Sequence, residues 1–398
     1  MASGTARVVG VGMIPFATPS RSASYDVLAH RAATAALADA GLDYTSVQQA
    51  YVGYVYGDST SGQYVLYPLG RTGIPVVNVN NNCSTGSSAL WLARQAVESG
   101  SADCVLALGF EQMQRGALTS QWADRPQPLH NFLAAAAEVQ GPSPDVPMAA
   151  QLFGGAGAEY AALHGTDPAT FAQIAVKARA HAANNPFAVF RDPVSVEDVL
   201  ASPSIYSVLT RLQCCPPTCG AAAAVICSRD FAHTHGLRAD VAIAAQELTT
   251  DTDASFENRS MIQLVGYDMA KTAADRVYTA SGVSPEDLKV VELHDCFTTN
   301  ELLSYEALSL TPEGTAEKFI LDRDNTYGGK VVTNPSGGLL SKGHPLGATG
   351  LAQCAELVWQ LRGQAGPRQV DDVSIALQHN IGLGGAAVIT LYQKVDAA

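Results

Sequence analysis

Charge is scarce in this chain, and positive charge is scarcest. Only 15% of its 398 residues are Asp, Glu, Lys or Arg, and 24 basic side chains face 37 acidic ones, for a net charge of −13. A protein that grips nucleic acid without regard to sequence needs excess Lys and Arg to neutralise phosphates, so that class is excluded. An anionic substrate is not, because a local basic cluster can oppose the global field. Long apolar runs are also missing. None reaches the roughly 18 residues that a membrane-spanning helix requires. Val8 to Phe16 is apolar but lacks the basic flank and cleavage pattern of a signal peptide. The end, Val395-Asp396-Ala397-Ala398, is not a peroxisomal tripeptide. The eight cysteines are spread along the whole length and make no compact disulfide framework. Free thiols in a reducing, cytoplasmic setting are the expectation.

Several cofactor signatures are absent too. Gly10-Val11-Gly12 follows an apolar stretch but has no third glycine three residues on, so the dinucleotide fingerprint fails. There is no glycine-lysine phosphate loop and no conspicuous carboxylate pair. Cys214, Cys215, Cys219 and Cys227 are too irregularly spaced for zinc, and no metal is expected.

What is present is a large apolar fraction, 47%, in a chain long enough for two domains or one large two-part core. It repeats itself once. Tyr25-Asp26 opens a helical pattern with Ala29, Ala32, Ala33, Ala36 and Leu37 on one face, stopped by Gly41 and followed by the strand pattern 50–55. Tyr267-Asp268 opens another, with Ala270, Ala273, Ala274 and Val277, stopped by Gly282 and followed by 290–293. Ser84-Thr85-Gly86 starts a helix ending at Gly100, with a strand over 105–109. Ala348-Thr349-Gly350 starts one ending at Gly363, with a strand over 373–377. Two similar α/β halves follow from this. Between them, residues 112–204 carry prolines at 126, 128, 142, 144, 147 and 193, broken by helical pieces such as 171–183, which predicts a loop-rich insertion covering an active site. Residues 220–227 read as a buried element. The resulting organisation is an N-terminal half over 1–111 and 205–238, the insertion over 112–204, and a C-terminal half over 239–398.

Four stretches carry chemistry. Asn80-Asn81-Asn82-Cys83-Ser84-Thr85-Gly86 sets a cysteine on a tight turn at a helix start. Unpaired N–H groups there stabilise a thiolate, and an imidazole can take its proton. The second runs from Asn334 to Gly350 and holds His344 between Gly343 and Pro345, among glycines that permit close backbone approach. A thiol and an imidazole that can meet are the parts of an acyl-transfer site. The third is His294-Asp295-Cys296-Phe297 at a strand end, where site residues gather in α/β folds. The fourth is Gln378 to Gly385, a glycine-rich turn after a strand, whose N–H groups can face an oxyanion.

Together these stretches resemble the thiolase superfamily, and within it the subgroup represented by the thiolase domain of sterol carrier protein X. The resemblance runs from Val8 to Tyr392. It includes Gly57-Asp58-Ser59-Thr60, Leu106 to Glu111, Leu212 to Pro216, Thr299 to Leu303 and Asp324 to Lys330. It implies an α/β, thiolase-like five-layer αβαβα fold of two similar halves, usually dimeric or a dimer of dimers. Cys83 matches the family nucleophile and His344 the histidine that activates it. The usual second cysteine of a Cys-x-Gly motif is absent, since that position reads Asn380-Ile381-Gly382. The subgroup supplies the thiol from Cys296 instead, and His294 stands where the common family has an asparagine. The implied reaction cleaves a 3-oxoacyl-CoA with coenzyme A into acetyl-CoA or propionyl-CoA and a shortened acyl-CoA, or runs in reverse as a Claisen condensation. Oxyanions would meet His294 and His344 in one step, and the N–H groups of Cys83 and Gly382 in the other. Coenzyme A is a substrate, and no cofactor is required. Alternatives are a biosynthetic or retro-aldol relative working with a small acyl-CoA-binding partner, and a noncatalytic acyl-CoA or lipid binder. Lipid breakdown by β-oxidation is the expected setting.

Overall fold

The computed structural model describes residues 5–114, 122 and 124–396. Its strands are β1 (Arg7–Met13), β2 (Gln49–Gly53), β3 (Val76–Val79), β4 (Cys104–Glu111), β5 (Ser204–Tyr206), β6 (Leu209–Thr210), β7 (Gly220–Cys227), β8 (Val241–Thr249), β9 (Val290–Glu292), β10 (Val332–Thr333), β11 (Ile375–Gly382) and β12 (Ala386–Lys394). Ten of them form two runs of five, β3-β2-β4-β7-β1 and β10-β9-β11-β12-β8. The orders correspond strand for strand, so the repeat read from the helices extends to the sheets. In each run the first three strands are parallel and the last two antiparallel. The runs join at one seam, where Arg7 pairs with Ala242 and the Ile243 N–H donates to the Ala6 carbonyl at 3.0 Å.

Helices complete five layers. Tyr25–Ala40 covers the outer face of the first sheet and Tyr267–Ser281 that of the second. Thr85–Glu98 and Thr349–Arg362 lie between the sheets and pack on each other. Their shared Thr-Gly has a physical reason. A Cβ on Gly350 would sit 2.1 Å from Ser87 Oγ, and one on Gly86 would sit 2.8 Å from the Gly347 carbonyl oxygen. The two helix starts therefore approach too closely for any side chain, which brings the Cys83 turn up to the His344 loop. Arg362 ties the layers together. It is buried, and its guanidinium donates to the Val8 and Val9 carbonyls at 3.1 Å and reaches Asp39 at 2.9 Å and Asp240 at 3.2 Å.

Two expectations change. The segment 112–204, read as loop-rich with helical pieces such as 171–183, is more helical than that: besides Pro168–Ala182, which matches the expected piece, it holds His130–Gln140, Met148–His164 and Val196–Ala201. Its prolines fall between these helices or at their first turns, where a missing N–H costs nothing. Residues 115–121 and 123 of it lie outside the described residues, as do Ala397 and Ala398. The Gln378 stretch is not a turn after a strand. Gln378 to Gly382 continue β11, and only 383–385 turn into β12.

Candidate active site

The Cys83 turn is held by its own backbone. Ser84 N–H donates to Asn81 O at 3.2 Å and Thr85 N–H to Asn82 O at 3.1 Å, while Asn82 adopts φ 52°. Asparagine tolerates that left-handed conformation better than most residues. The turn seats Cys83 directly before the Thr85–Glu98 helix. Gly382 backs it closely, since a Cβ there would lie 2.1 Å from Asn81 O.

His344 is buried, and its hydrogen bonds define which nitrogen holds the proton. Its backbone N–H donates to Thr218 Oγ1 at 2.6 Å, which fixes the loop. Thr349 Oγ1 donates to the Pro345 carbonyl at 3.0 Å and lies 2.7 Å from His344 Nδ1. The hydroxyl has spent its proton, so it accepts from Nδ1–H. Nε2 is left with a lone pair, buried and without a hydrogen-bond partner. That is the state of a base awaiting a proton.

His294 and Cys296 follow β9. Asp295 fastens this loop to the His344 loop by accepting from Leu339 N–H at 2.7 Å and Leu340 N–H at 3.2 Å. The Cys296 carbonyl accepts from Cys215 N–H at 2.8 Å. His294 Nδ1 meets the Asn380 side-chain amide at 2.9 Å. Both histidines thus engage Nδ1 elsewhere and turn Nε2 inward.

These groups converge. A ring nitrogen of His294, a ring nitrogen of His344 and Cys83 Sγ all lie within 4.8 Å of one another, and the imidazole rings cross nearly at right angles with centroids 5.1 Å apart. Cys296 lies outside that tight group, though close enough for a Cys83 charge to raise its pKa. Burial first, then Cys215 and Cys83, holds the Cys296 thiol well above its ordinary value, which keeps a proton available there.

The thiolate expected at the helix start is not the resting state. Cys83 keeps some solvent contact as a residue. Even so, burial pushes its thiol up to about 12, with the Glu111 carboxylate adding to the rise. Burial and the nearby Lys342 ammonium push His344 down to about 3, and burial, with His344 and the buried His379 beside it, holds His294 well below its usual range. The free site is a neutral thiol beside two neutral imidazoles. Desolvation outweighs the helix terminus, and the proton stays on Cys83.

Cys83, His294 and His344 are also a donor set suited to a soft divalent metal. Other contributors were not visible in the sequence. Glu111 accepts from Val55 N–H at 3.0 Å, Tyr56 N–H at 3.1 Å and Gly347 N–H at 3.1 Å, so one carboxylate bonds segments of both halves. Asn380 stands at the position where the resemblance expects a cysteine. Beside the turn opens a cavity of about 460 Å³, lined among others by Tyr56, Asn80, Asn82, Leu129, Met148 and Gly382. Leu129 and Met148 come from the insertion.

Residues 6–230 match the thiolase N-terminal domain, and residues 252–393 match the thiolase C-terminal domain-like family. The chain belongs to the thiolase family. Sterol carrier protein 2 of Rattus norvegicus is 54% identical over 390 residues, covering 97% of this thiolase and 71% of that protein. Among solved structures, the Ltp2-ChsH2(DUF35) aldolase superposes with a TM-score of 0.82 at 25% identity, covering 99% of each chain. Human mitochondrial 3-ketoacyl-CoA thiolase in complex with CoA gives a TM-score of 0.74 at 19% identity over 98% of each chain, a likeness of fold. No described helix of this thiolase is long and apolar enough to cross a membrane.

Proposed function

We propose that this thiolase cleaves 3-oxoacyl-CoA with coenzyme A through an acyl group on Cys83, and catalyses the reverse condensation when concentrations favour it. The observation that carries this reading is the 4.8 Å cluster of Cys83 Sγ with the two imidazoles, one of which keeps a free, buried lone pair. Cys83 loses its proton to His344 Nε2 as sulfur attacks the 3-oxo carbon. The C2–C3 bond breaks and its electron pair forms the acetyl-CoA enolate, which takes a proton from Cys296. The enolate oxygen is held by His294 and by the protonated His344. His344 then passes the proton it took from Cys83 to the Cys296 thiolate, and coenzyme A thiol displaces Cys83 from the acyl group, its proton going to His344 Nε2 and on to the departing Cys83 sulfur. The tetrahedral oxyanion meets the N–H groups of Cys83 and Gly382, each such donor lowering a barrier by about 3 kcal/mol. Coenzyme A enters as substrate, and no metal or cofactor takes part. The cavity beside Cys83 receives the acyl portion, with Leu129 and Met148 setting its length.

We further propose a homodimer. β3 is an edge strand with Val77 45% exposed, an arrangement that invites pairing with a second copy. A cytoplasmic role in lipid breakdown is part of the same reading.

The test is direct. Purified protein with acetoacetyl-CoA and free coenzyme A should yield acetyl-CoA, and mass spectrometry after acid quench should find acetyl on Cys83. A second reading has one observation in its favour, the aldolase structure whose name includes a DUF35 component. Inactivity of the single chain, relieved by adding such a partner, would replace thiolysis with a partner-dependent reaction. Equal labelling of Cys83, Cys104 and Cys354 by iodoacetamide would point to mere acyl-CoA binding.

A further inference from the structure

We propose that Asn380 is the positioning residue that locks His294 as the Nε2–H tautomer, so that the two site histidines face Cys83 in opposite roles, His344 as acceptor and His294 as donor. The inference deepens the proposed thiolysis and rests on it for the catalytic consequence, but the tautomer itself is independent of activity.

The argument is a chain of buried hydrogen bonds in which each direction is forced by the one before. The Gly350 carbonyl can only accept, so the Gln378 amide turns its NH₂ to it and to Ser87 Oγ, each at 2.8 Å, and its Oε1 accepts from Tyr392 O–H at 2.5 Å. Ser87 therefore accepts from Gln378 and has its single proton left for Asn380 Oδ1, 2.7 Å away. That places the Asn380 NH₂ opposite, where one hydrogen goes to the Cys83 carbonyl at 3.2 Å. A flipped amide would set oxygen against oxygen at that carbonyl. The second hydrogen points at His294 Nδ1, 2.9 Å away. Nδ1 must accept, so a neutral His294 keeps its proton on Nε2, the nitrogen turned to the site. Gly350 is part of the device, since a Cβ there would lie 2.1 Å from Ser87 Oγ and 2.8 Å from Asn380 Oδ1.

The consequence is chemical. Two imidazoles with inward lone pairs beside a cysteine would favour a soft cation; one lone pair and one N–H favour a proton acceptor beside an oxyanion donor. Asn380 occupies the place of the missing Cys-x-Gly thiol and does a different task there. It acts through His294 and touches no reacting atom.

Histidine ¹⁵N spectra of the wild-type protein, assigned with His294→Gln and His344→Gln, test the tautomers without any substrate. The expected pattern is a protonated Nε2 and unprotonated Nδ1 for His294, and the reverse for His344. Asn380→Asp, nearly the same shape, replaces the donor with an acceptor and should move the His294 proton to Nδ1. In that variant kcat should fall roughly 100-fold or more, the usual loss for one oxyanion donor. KM should stay within about threefold. A wild-type His294 protonated on Nδ1 overturns the proposal whatever the activity. So does an Asn380→Asp protein that keeps full turnover or keeps the Nε2 proton. Absence of thiolysis in a wild-type protein with the expected tautomers would instead remove the proposed reaction and leave the positioning role standing.

Discussion

Glu111, at the end of a strand in the first half, accepts a hydrogen bond at 3.1 Å from the backbone N–H of Gly347, in the histidine loop of the second half. The same carboxylate holds Val55 and Tyr56, so three backbone donors depend on it, that of Gly347 buried and the other two partly buried. Glu111→Ala strands all three. Unpaired buried donors cost about 1–3 kcal/mol each, so chemical denaturation should show a loss of about 3 kcal/mol or more. Unchanged stability would show that water replaces the carboxylate.

Burial raises the Glu111 pKa from its ordinary value to about 7, against the lowering effect of its hydrogen bonds. A raised carboxylate pKa means that the folded state binds its proton more tightly than the unfolded chain does. The resulting stability is full below the unfolded value and is lost as pH rises through about 7. Thermal unfolding of wild type and Glu111→Gln, which cannot ionise, should therefore diverge between pH 5 and pH 8, with wild type losing ground as pH rises. A constant difference across that range would contradict the raised pKa.

The neutral thiol and neutral imidazole predict the pH dependence of Cys83 alkylation. With the thiol pushed up to about 12 and His344 down to about 3, neither group titrates between pH 5 and 8. The rate with iodoacetamide should climb steadily with pH and show no plateau below pH 9. A plateau beginning near pH 6 would reveal a preformed thiolate–imidazolium pair instead.

Much of this site is legible in the sequence, and the exceptions share one cause. Cys83, His344 and the loop after β9 announce themselves because glycine, proline and helix starts surround them, and those signals are local. The helix stops at Gly41, Gly282 and Gly363 are legible for the same reason, each glycine taking φ near 70° to close its helix. Glu111 and Asn380 are not legible. Their partners lie as far as 236 and 297 residues away, and nothing in a single chain says which strand ends will meet. Cys215 misleads in a different way. Its spacing suggests a poor metal site, whereas its backbone N–H supports the Cys296 carbonyl. The charge state of Cys83 is also beyond a local reading, because the helix start is visible in the sequence and the burial is not.

Cys296→Ala should separate the half-reactions. Without its proton, turnover of acetoacetyl-CoA should drop by roughly 100-fold to 10,000-fold, the range for a general acid. Cys83 should still take an acetyl group from acetyl-CoA, a step that needs no carbon acid, and intact-protein mass spectrometry would detect it. Loss of both would place Cys296 in nucleophile activation.

Gly382→Ala tests the backing of the nucleophile turn. Its Cβ would stand 2.1 Å from Asn81 O, so the turn must move. Turnover should fall at least tenfold, with about 1–3 kcal/mol of stability lost to overpacking. Wild-type turnover would mean that the turn accommodates the methyl group without moving Cys83.

Arg362 gives the duplicated architecture its permanence. The side chain belongs to the second half, yet two of its bonds end on carbonyls of β1 and a third on Asp39. Separating the halves would leave a guanidinium stranded on one fragment and strand carbonyls bare on the other. Two units built on the same strand order are thus riveted into one body by a single buried cation.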